Sequence, residues 1–174
     1  PDIIYNKDTN DDIGYFMLKY LTSPYSCENL LLVLGHPGSG KTTLAKMLCG
    51  KLLSDAYMPI LVRLKYVNAN TQVDMQIISE INRMTGYNIS DWGEFSDTCS
   101  EIPLIIYFDG YDEFLQVQQK AHYEYLLQLK KFQQRENDLQ RPIKIIVSSR
   151  ITLIDKASIP NGTTVINLCE FSEK

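Results

Sequence analysis

The sequence predicts an α/β domain with three layers, in which a mostly parallel five-stranded sheet is covered by helices on both faces. Apolar segments of strand length alternate with amphipathic segments of helix length, which is typical of crossover connections between parallel strands. The strand segments are nearly continuous apolar runs, as expected where strands are buried on both faces. The 174 residues are 44% hydrophobic and 22% charged, which suits a single domain, expected to cover residues 1–174.

The first half of the chain is expected to supply three helices and two strands. Apolar residues recur at helical spacing from Ile13 to Leu21, and Pro24 should end that helix. The apolar run 30–34 predicts the first strand, and a Gly-rich loop then leads into a helix over 41–54. That helix is expected to bury one side, formed by Leu44, Met47, Leu48 and Leu52. A second strand is predicted over 59–67 and a further helix over 74–84.

The second half repeats the alternation. Residues 85–100 predict a loop with a short helical turn, in which Trp92 either contacts a partner or fills a small satellite core. A helical stripe of apolar residues runs from Phe114 through Ala121 to Phe132 and predicts one long helix. The remaining predicted strands are 103–108, 143–148 and 163–168, with a loop or short helix over 151–162. Because such strands run parallel, a ligand is expected at their carboxyl ends.

Composition excludes several classes of function. A formal net charge of −4 gives no overall attraction for nucleic acid or anionic lipid, so neither is expected as a partner. The four cysteines contain no C-x-x-C pair, which favours a reduced, cytoplasmic protein over a zinc or disulfide scaffold. The apolar runs are too short to span a bilayer. The chain begins with Pro rather than Met, so it is expected to be part of a longer multidomain protein.

The segment GHPGSGKT between the first strand and the next helix matches the phosphate-binding P-loop pattern at every fixed position. Its glycines allow backbone amides to turn towards phosphates, its lysine supplies a positive charge, and its threonine offers a hydroxyl to Mg²⁺. A Gly-rich turn with an exposed lysine is the alternative, which the flanking strand and helix disfavour. The predicted nucleotide-binding residues are Gly35, His36, Pro37, Gly38, Ser39, Gly40, Lys41, Thr42 and Thr43, and Thr42 is also a predicted metal ligand.

An acidic segment follows the third strand. Asp109 stands at the end of this apolar run, where a carboxylate beside a P-loop holds Mg²⁺, usually through water. Asp112 and Glu113 follow, and either could orient or deprotonate the attacking water. Asp112 is slightly favoured as the catalytic acid. Acidic residues are also common at helix starts, and the two interpretations are compatible.

A third polar signal ends the fourth strand. Arg150 has the permanent charge and the reach to sense the γ-phosphate from there, and it is the third predicted catalytic residue. An ordinary surface arginine after a strand is an equally good interpretation. No N-K-x-D guanine-reading motif is present, which favours ATP over GTP.

These three elements together resemble the NACHT family of STAND-class signalling NTPases. The resemblance rests on LGHPGSGKTTLA at 34–45, IIYFDGYDEF at 105–114 and IIVSSR at 145–150, and it covers roughly residues 10–170. Gly110 directly follows the Mg²⁺ aspartate, where most ATP-driven motors carry their catalytic acid. Tyr111 departs from the leucine that many family members have.

The resemblance implies strand order 2-3-4-1-5 and an ATP/ADP-dependent switch that controls oligomerisation, often in immune or antiviral defence. It also implies flanking sensor and effector domains, with self-association through the full-length protein. The family's winged-helix histidine has no counterpart here, because neither His36 nor His122 is a good substitute.

Four functional hypotheses follow from these observations. The leading one is a signalling switch that binds ATP or ADP with Mg²⁺ and hydrolyses ATP slowly. The second is a motor or remodelling ATPase of the AAA+ type, which needs an arginine finger from a neighbouring subunit. A kinase ranks last because the arginines do not cluster into a lid. A binding module that has lost hydrolysis has no support, since the motifs are complete.

Overall fold

A single parallel sheet forms the centre of the molecule. The computed structural model describes residues 13–52, 56–68, 70–99, 101–117 and 124–169. Its strands are β1 (Leu31–Gly35), β2 (Met58–Arg63), β3 (Leu104–Asp109), β4 (Ile143–Arg150) and β5 (Thr164–Leu168). All neighbouring strands pair in parallel, in the order β2-β3-β4-β1-β5, which confirms the predicted fold class and strand order.

Helices cover both faces of this sheet. They are α1 (Ile13–Thr22), α2 (Tyr25–Glu28), α3 (Lys41–Leu52), α4 (Val73–Thr85), α5 (Trp92–Thr98), α6 (Tyr111–Val117) and α7 (Tyr125–Asp138). Short 3₁₀ turns occupy Leu64–Tyr66 and Ile151–Lys156. Among the described residues, none of the helices is both long and apolar enough to cross a membrane.

The core consists of two apolar clusters separated by the sheet. Leu32 and Leu34 of β1 point towards α4, α5, α6 and α7, whereas the alternate residues Leu31 and Val33 point towards α1 and α3. This alternation follows from the two-residue repeat of a strand. Because both faces are covered, the strands had to be apolar throughout, and β1 is buried at every position.

Several element predictions need correction. The second strand ends at Arg63 rather than at residue 67, because the chain turns there and buries Leu64. Met47 is 51% exposed, so its predicted place on the buried side of α3 is wrong. The side chain of Leu52 and the predicted helix end at residue 54 lie outside the described residues.

The apolar stripe from Phe114 to Phe132 spans two helices, α6 and α7, instead of one. Ala121 and His122 lie outside the described residues. Trp92 is buried between Phe95 and Phe132, with ring centroids 5.8 and 5.5 Å away, and belongs to the larger core cluster. It is therefore neither an exposed partner contact nor part of a separate satellite core.

The strand register brings the polar strand ends together. Gly35 pairs with Arg150 on one side and Leu168 on the other, and Arg63 pairs with Asp109. The carboxyl ends of these strands therefore meet at one edge of the sheet, as predicted.

Candidate functional site

The P-loop connects β1 to α3 through a tight turn. The amide of Ser39 donates to the carbonyl of His36 at 3.1 Å, and that of Leu44 donates to Gly40 at 2.7 Å. Gly40 has φ +88°, a left-handed conformation that residues with a Cβ rarely adopt. Gly35 is packed so closely that an added Cβ would collide with the buried Ser39 hydroxyl. The loop thus has the narrow cradle that close backbone approach to phosphate requires.

Lys41 folds back over this loop. Its Nζ donates to the carbonyl oxygens of Gly35 and His36, at 2.8 Å each, and lies 3.5 Å from the Ser39 hydroxyl. Partial burial lowers the pKa of Lys41, while the nearby carboxylates of Asp112 and Asp109 act in the opposite direction. The amine therefore sits at the mouth of the cradle, among acceptors that a phosphate oxygen could replace.

Asp109 lies between two hydroxyl groups at the end of β3. Thr42 Oγ1 donates to Asp109 Oδ2 at 2.9 Å, and Ser148 Oγ donates to Asp109 Oδ1 at 2.5 Å. Ser148 is fully buried and accepts a bond from the Gly110 amide at 3.1 Å. The role of Ser148 was not predicted from the sequence. The one signal that could have indicated it is the polar pair Ser148 and Ser149 at the end of an apolar strand.

This oxygen-rich corner suits Mg²⁺. A hard cation prefers oxygen ligands, and Mg²⁺ commonly takes only one or two carboxylates and completes its shell with water and substrate phosphates. Thr42 and Asp109 supply a hydroxyl and a carboxylate at adjacent positions. No group of three or more His, Cys, Asp or Glu side chains suited to a metal occurs in the described part of the chain. The pair formed by Thr42 and Asp109 fits a Mg²⁺ site that substrate phosphates and water would complete.

The structure separates the two candidate catalytic acids. Both lie in the first turn of α6, as the helix-start interpretation expects. Asp112 is 3% exposed and its Oδ2 lies 2.8 Å from Nε of Arg150, whereas Glu113 is exposed. Arg150 is therefore not an ordinary surface arginine, because it forms an ion pair inside the site. Their catalytic roles stay predictions.

Gly110 makes the turn that brings Asp112 inward. It adopts φ +86° between the end of β3 and the start of α6. A residue with a Cβ would be strained in this conformation. The small residue that follows Asp109 in the sequence therefore has a structural reason to be glycine.

These elements enclose a cleft of about 460 Å³, which is within the range of small-molecule sites. Six of the predicted P-loop residues line this cleft: Pro37, Gly38, Gly40, Lys41, Thr42 and Thr43. The other three, Gly35, His36 and Ser39, contact the amine of Lys41 from within the loop. Five lining side chains are cationic and three are acidic, a formal balance of +2 in a chain of net charge −4. The cations are Lys41, Lys46, Arg63, Lys65 and Arg150, and sequence reasoning missed Lys46, Arg63 and Lys65.

Comparison with known families agrees with this geometry. Residues 25–160 match the sequence profile of the family described as Novel STAND NTPase 3. The chain belongs to this family. It is thus a P-loop NTPase of the STAND class, which confirms the class and the enzyme activity predicted from the motifs. No curated protein matched the chain in a separate comparison.

Solved structures with a similar fold include two archaeal proteins. The ORC2 protein of Aeropyrum pernix, in ADPNP and ADP complexes, is 16% identical, with a TM-score of 0.53 over 88% of this chain and 46% of that one. Cdc6p from Pyrobaculum aerophilum is also 16% identical, with a TM-score of 0.53 over 80% of this chain and 38% of that one. The chain spans less than half the length of either protein. At this identity, the likeness concerns the fold.

Proposed function

We propose that this STAND NTPase domain is an ATP/ADP-dependent signalling switch of the NACHT type, which hydrolyses ATP slowly with Mg²⁺. Its nucleotide state would control oligomerisation of the full-length protein. The P-loop residues 35–43 would hold the phosphates, and Thr42 and Asp109 would hold the metal ion. Bound Mg²⁺ would neutralise phosphate charge and orient the terminal phosphate for attack.

The observation that carries this proposal is the ion pair between Asp112 and Arg150. Asp112 is the favoured catalytic acid, and it is buried with its carboxylate 2.8 Å from a guanidinium. The carboxylate oxygen that the guanidinium engages cannot at the same time accept a proton from water. Slow turnover follows, because the pair must open before Asp112 can take a proton.

The same pair gives Arg150 a place in the switch. Its side chain is 39% exposed and lines the cleft, so a phosphate could draw the guanidinium away from Asp112. Binding of a triphosphate would then release the Asp112 carboxylate from the guanidinium of Arg150. In this exchange Arg150 would act as the γ-phosphate sensor that the sequence predicts.

The biological setting of the proposal rests on the family resemblance. We propose residues 1–174 as one domain of a longer cytoplasmic protein with flanking sensor and effector domains, acting in immune or antiviral defence. Direct contacts with nucleic acid or membrane form no part of the proposal. Self-association would depend on the full-length protein.

A motor or remodelling ATPase of the AAA+ type is the second candidate, favoured by the fold shared with ORC2 and Cdc6p. Such enzymes need an arginine finger for a neighbouring subunit. Two late arginines are engaged within the chain instead: Arg135 contacts Asp74 and Glu136, and Arg141 contacts Asp97. This engagement favours the switch.

The deciding experiment is a calorimetric titration with ATP, ADP and GTP, with and without Mg²⁺, followed by a turnover assay. The switch predicts binding of ATP and ADP, weak binding of GTP, and turnover well below about 1 s⁻¹, the low end of ordinary enzymes. Brisk turnover with ATP-dependent ring formation would favour the motor. Absence of nucleotide binding would contradict both candidates.

A further inference from the structure

Arg63 reaches the nucleotide cleft from the edge of the sheet farthest from the P-loop. It is the last residue of β2, pairs in register with Asp109, and lines the cleft. From β1 to β2 the sheet order crosses three strand spacings of roughly 4.8 Å each. Lys41 and Thr42 lie at the β1 end of the cleft, so a phosphate chain bound there and directed along the cleft would have its terminal group on the β2 side.

A buried carboxylate holds Arg63 in place. The side chain of Glu80 on α4 is 2% exposed, and its Oε1 accepts from the Arg63 Nε at 3.0 Å and from the Arg63 amide at 3.4 Å. Arg83 donates to both oxygens of the same carboxylate, at 2.6 and 2.5 Å. Burial raises the pKa of Glu80, but the hydrogen bonds from Arg83 and Arg63 outweigh it, so that the pKa is lowered.

Two cations therefore share one buried carboxylate. A buried charge that loses its only partner is strongly destabilising. Here the bidentate contact of Arg83 with Glu80 would remain if the Arg63 guanidinium turned away. Arg63 can thus exchange Glu80 for an anion in the cleft without leaving the carboxylate unpaired.

The two arginines differ in what they can reach. Both guanidiniums lie over the ring of Tyr66, at 5.3 Å for Arg63 and 4.3 Å for Arg83. Of the two, only Arg63 lines the cleft. Arg83 therefore tests the support of Arg63 rather than direct phosphate contact, since it shares the same carboxylate and ring but lies away from the phosphate site.

We propose that Arg63 binds the terminal phosphate of a nucleoside triphosphate and thereby sets the preference of the domain for triphosphate over diphosphate. This inference rests on the proposed function. A guanidinium presents paired donors that match phosphate oxygens, and hydrogen bonds to charged groups are among the stronger ones in proteins. A diphosphate would leave Arg63 on Glu80.

The test compares affinities for a non-hydrolysable ATP analogue and for ADP, both with Mg²⁺, by calorimetry. Arg63→Gln is expected to weaken binding of the analogue about 10- to 100-fold while ADP binding changes less than about 2-fold. Arg63→Lys, which keeps the charge, is expected to recover part of the loss. Among the described residues, Arg83→Gln leaves Arg63 as the only cation on Glu80, so this variant is expected to hold Arg63 on the carboxylate and to reduce the preference for the analogue in part. Lys65→Gln, at a cleft residue that does not contact Glu80, is expected to leave the ratio of the two affinities unchanged.

The remaining outcomes separate the inference from the proposed function. Equal effects of Arg63→Gln on both nucleotides, or no effect on either, would overturn this inference alone. A shift of the ratio in Lys65→Gln but not in Arg63→Gln would assign the contact to Lys65, which also lines the cleft, and would overturn it too. A wild-type domain that binds neither nucleotide would overturn the proposed function and this inference together.

Discussion

Replacing Ser148 by alanine removes the hydroxyl that joins Asp109 to the backbone of Gly110. The wild-type hydroxyl donates to Asp109 Oδ1 at 2.5 Å and accepts from the Gly110 amide at 3.1 Å. Alanine fits the same buried space, so the substitution tests the two hydrogen bonds rather than packing.

The expected effect follows from the type of each bond. A hydrogen bond to a charged group contributes about 1.5–3 kcal/mol, and a neutral one about 1 kcal/mol. Partial rearrangement around Gly110 reduces the sum, so Ser148→Ala should lower the free energy of unfolding by about 2–3 kcal/mol. For a chain of this size, that corresponds to a fall in Tm of roughly 4–12 °C.

A second effect concerns the metal ion. Asp109 would keep only Thr42 of the two hydroxyl groups that hold its carboxylate. We expect the Mg²⁺-dependent part of ATP affinity to fall about 10-fold, equivalent to about 1.4 kcal/mol. Calorimetric titrations with and without Mg²⁺ measure this part directly.

Ser149→Ala is the matched control. Ser149 is also fully buried. Within the described part of the chain, its hydroxyl makes only one hydrogen bond, a long one of 3.4 Å to the Arg150 carbonyl. Its Tm and Mg²⁺ dependence should stay close to wild type. If the two variants behave alike in both measurements, the proposed bridge through Ser148 is wrong.

Four further predictions concern the site and its support. Lys41→Ala should abolish triphosphate binding in a titration, and unchanged affinity would contradict the P-loop assignment. Asp112→Asn should still bind ATP but lose hydrolysis in a turnover assay. If Glu113→Gln loses hydrolysis and Asp112→Asn does not, the choice of Asp112 as the catalytic acid is wrong. Gly110→Ala should lower the free energy of unfolding by about 1–2 kcal/mol in denaturant titrations, because a residue with a Cβ is strained at φ +86°. Steric contact does not contribute, since the atom nearest to the added Cβ is 3.7 Å away. A loss near zero would refute the strain. The pKa of Glu80 in the folded protein lies below its ordinary value of 4.5, so the ion pairs stabilise the fold fully above pH 4.5 and stop doing so as the pH falls through the folded-state pKa. The difference in Tm between wild type and Glu80→Gln should therefore shrink in acid. A difference that stays constant would count against the ion pairs.

Much of the fold could be read from local patterns. The apolar runs of β1, β3 and β4 predicted buried parallel strands because a strand covered on both faces leaves no position for water. The strand order came from a family resemblance carried by three short motifs. Patterns failed where tertiary contacts decided the outcome: Leu64 turned into the core and shortened β2, and Met47 faced outward on α3.

The candidate site divides in the same way. The sequence by itself predicted the P-loop and the Asp109 strand end, because phosphate binding needs particular residue types at a fixed spacing along the chain. The STAND class came from a family resemblance carried by the same motifs. Only the tertiary structure distinguished buried, paired Asp112 from exposed Glu113 and brought Ser148 and Arg63 to Asp109. These contacts join residues that are 38 or more positions apart, and no local spacing encodes them. They depend on the sheet register, which the packing of both core layers sets as a whole.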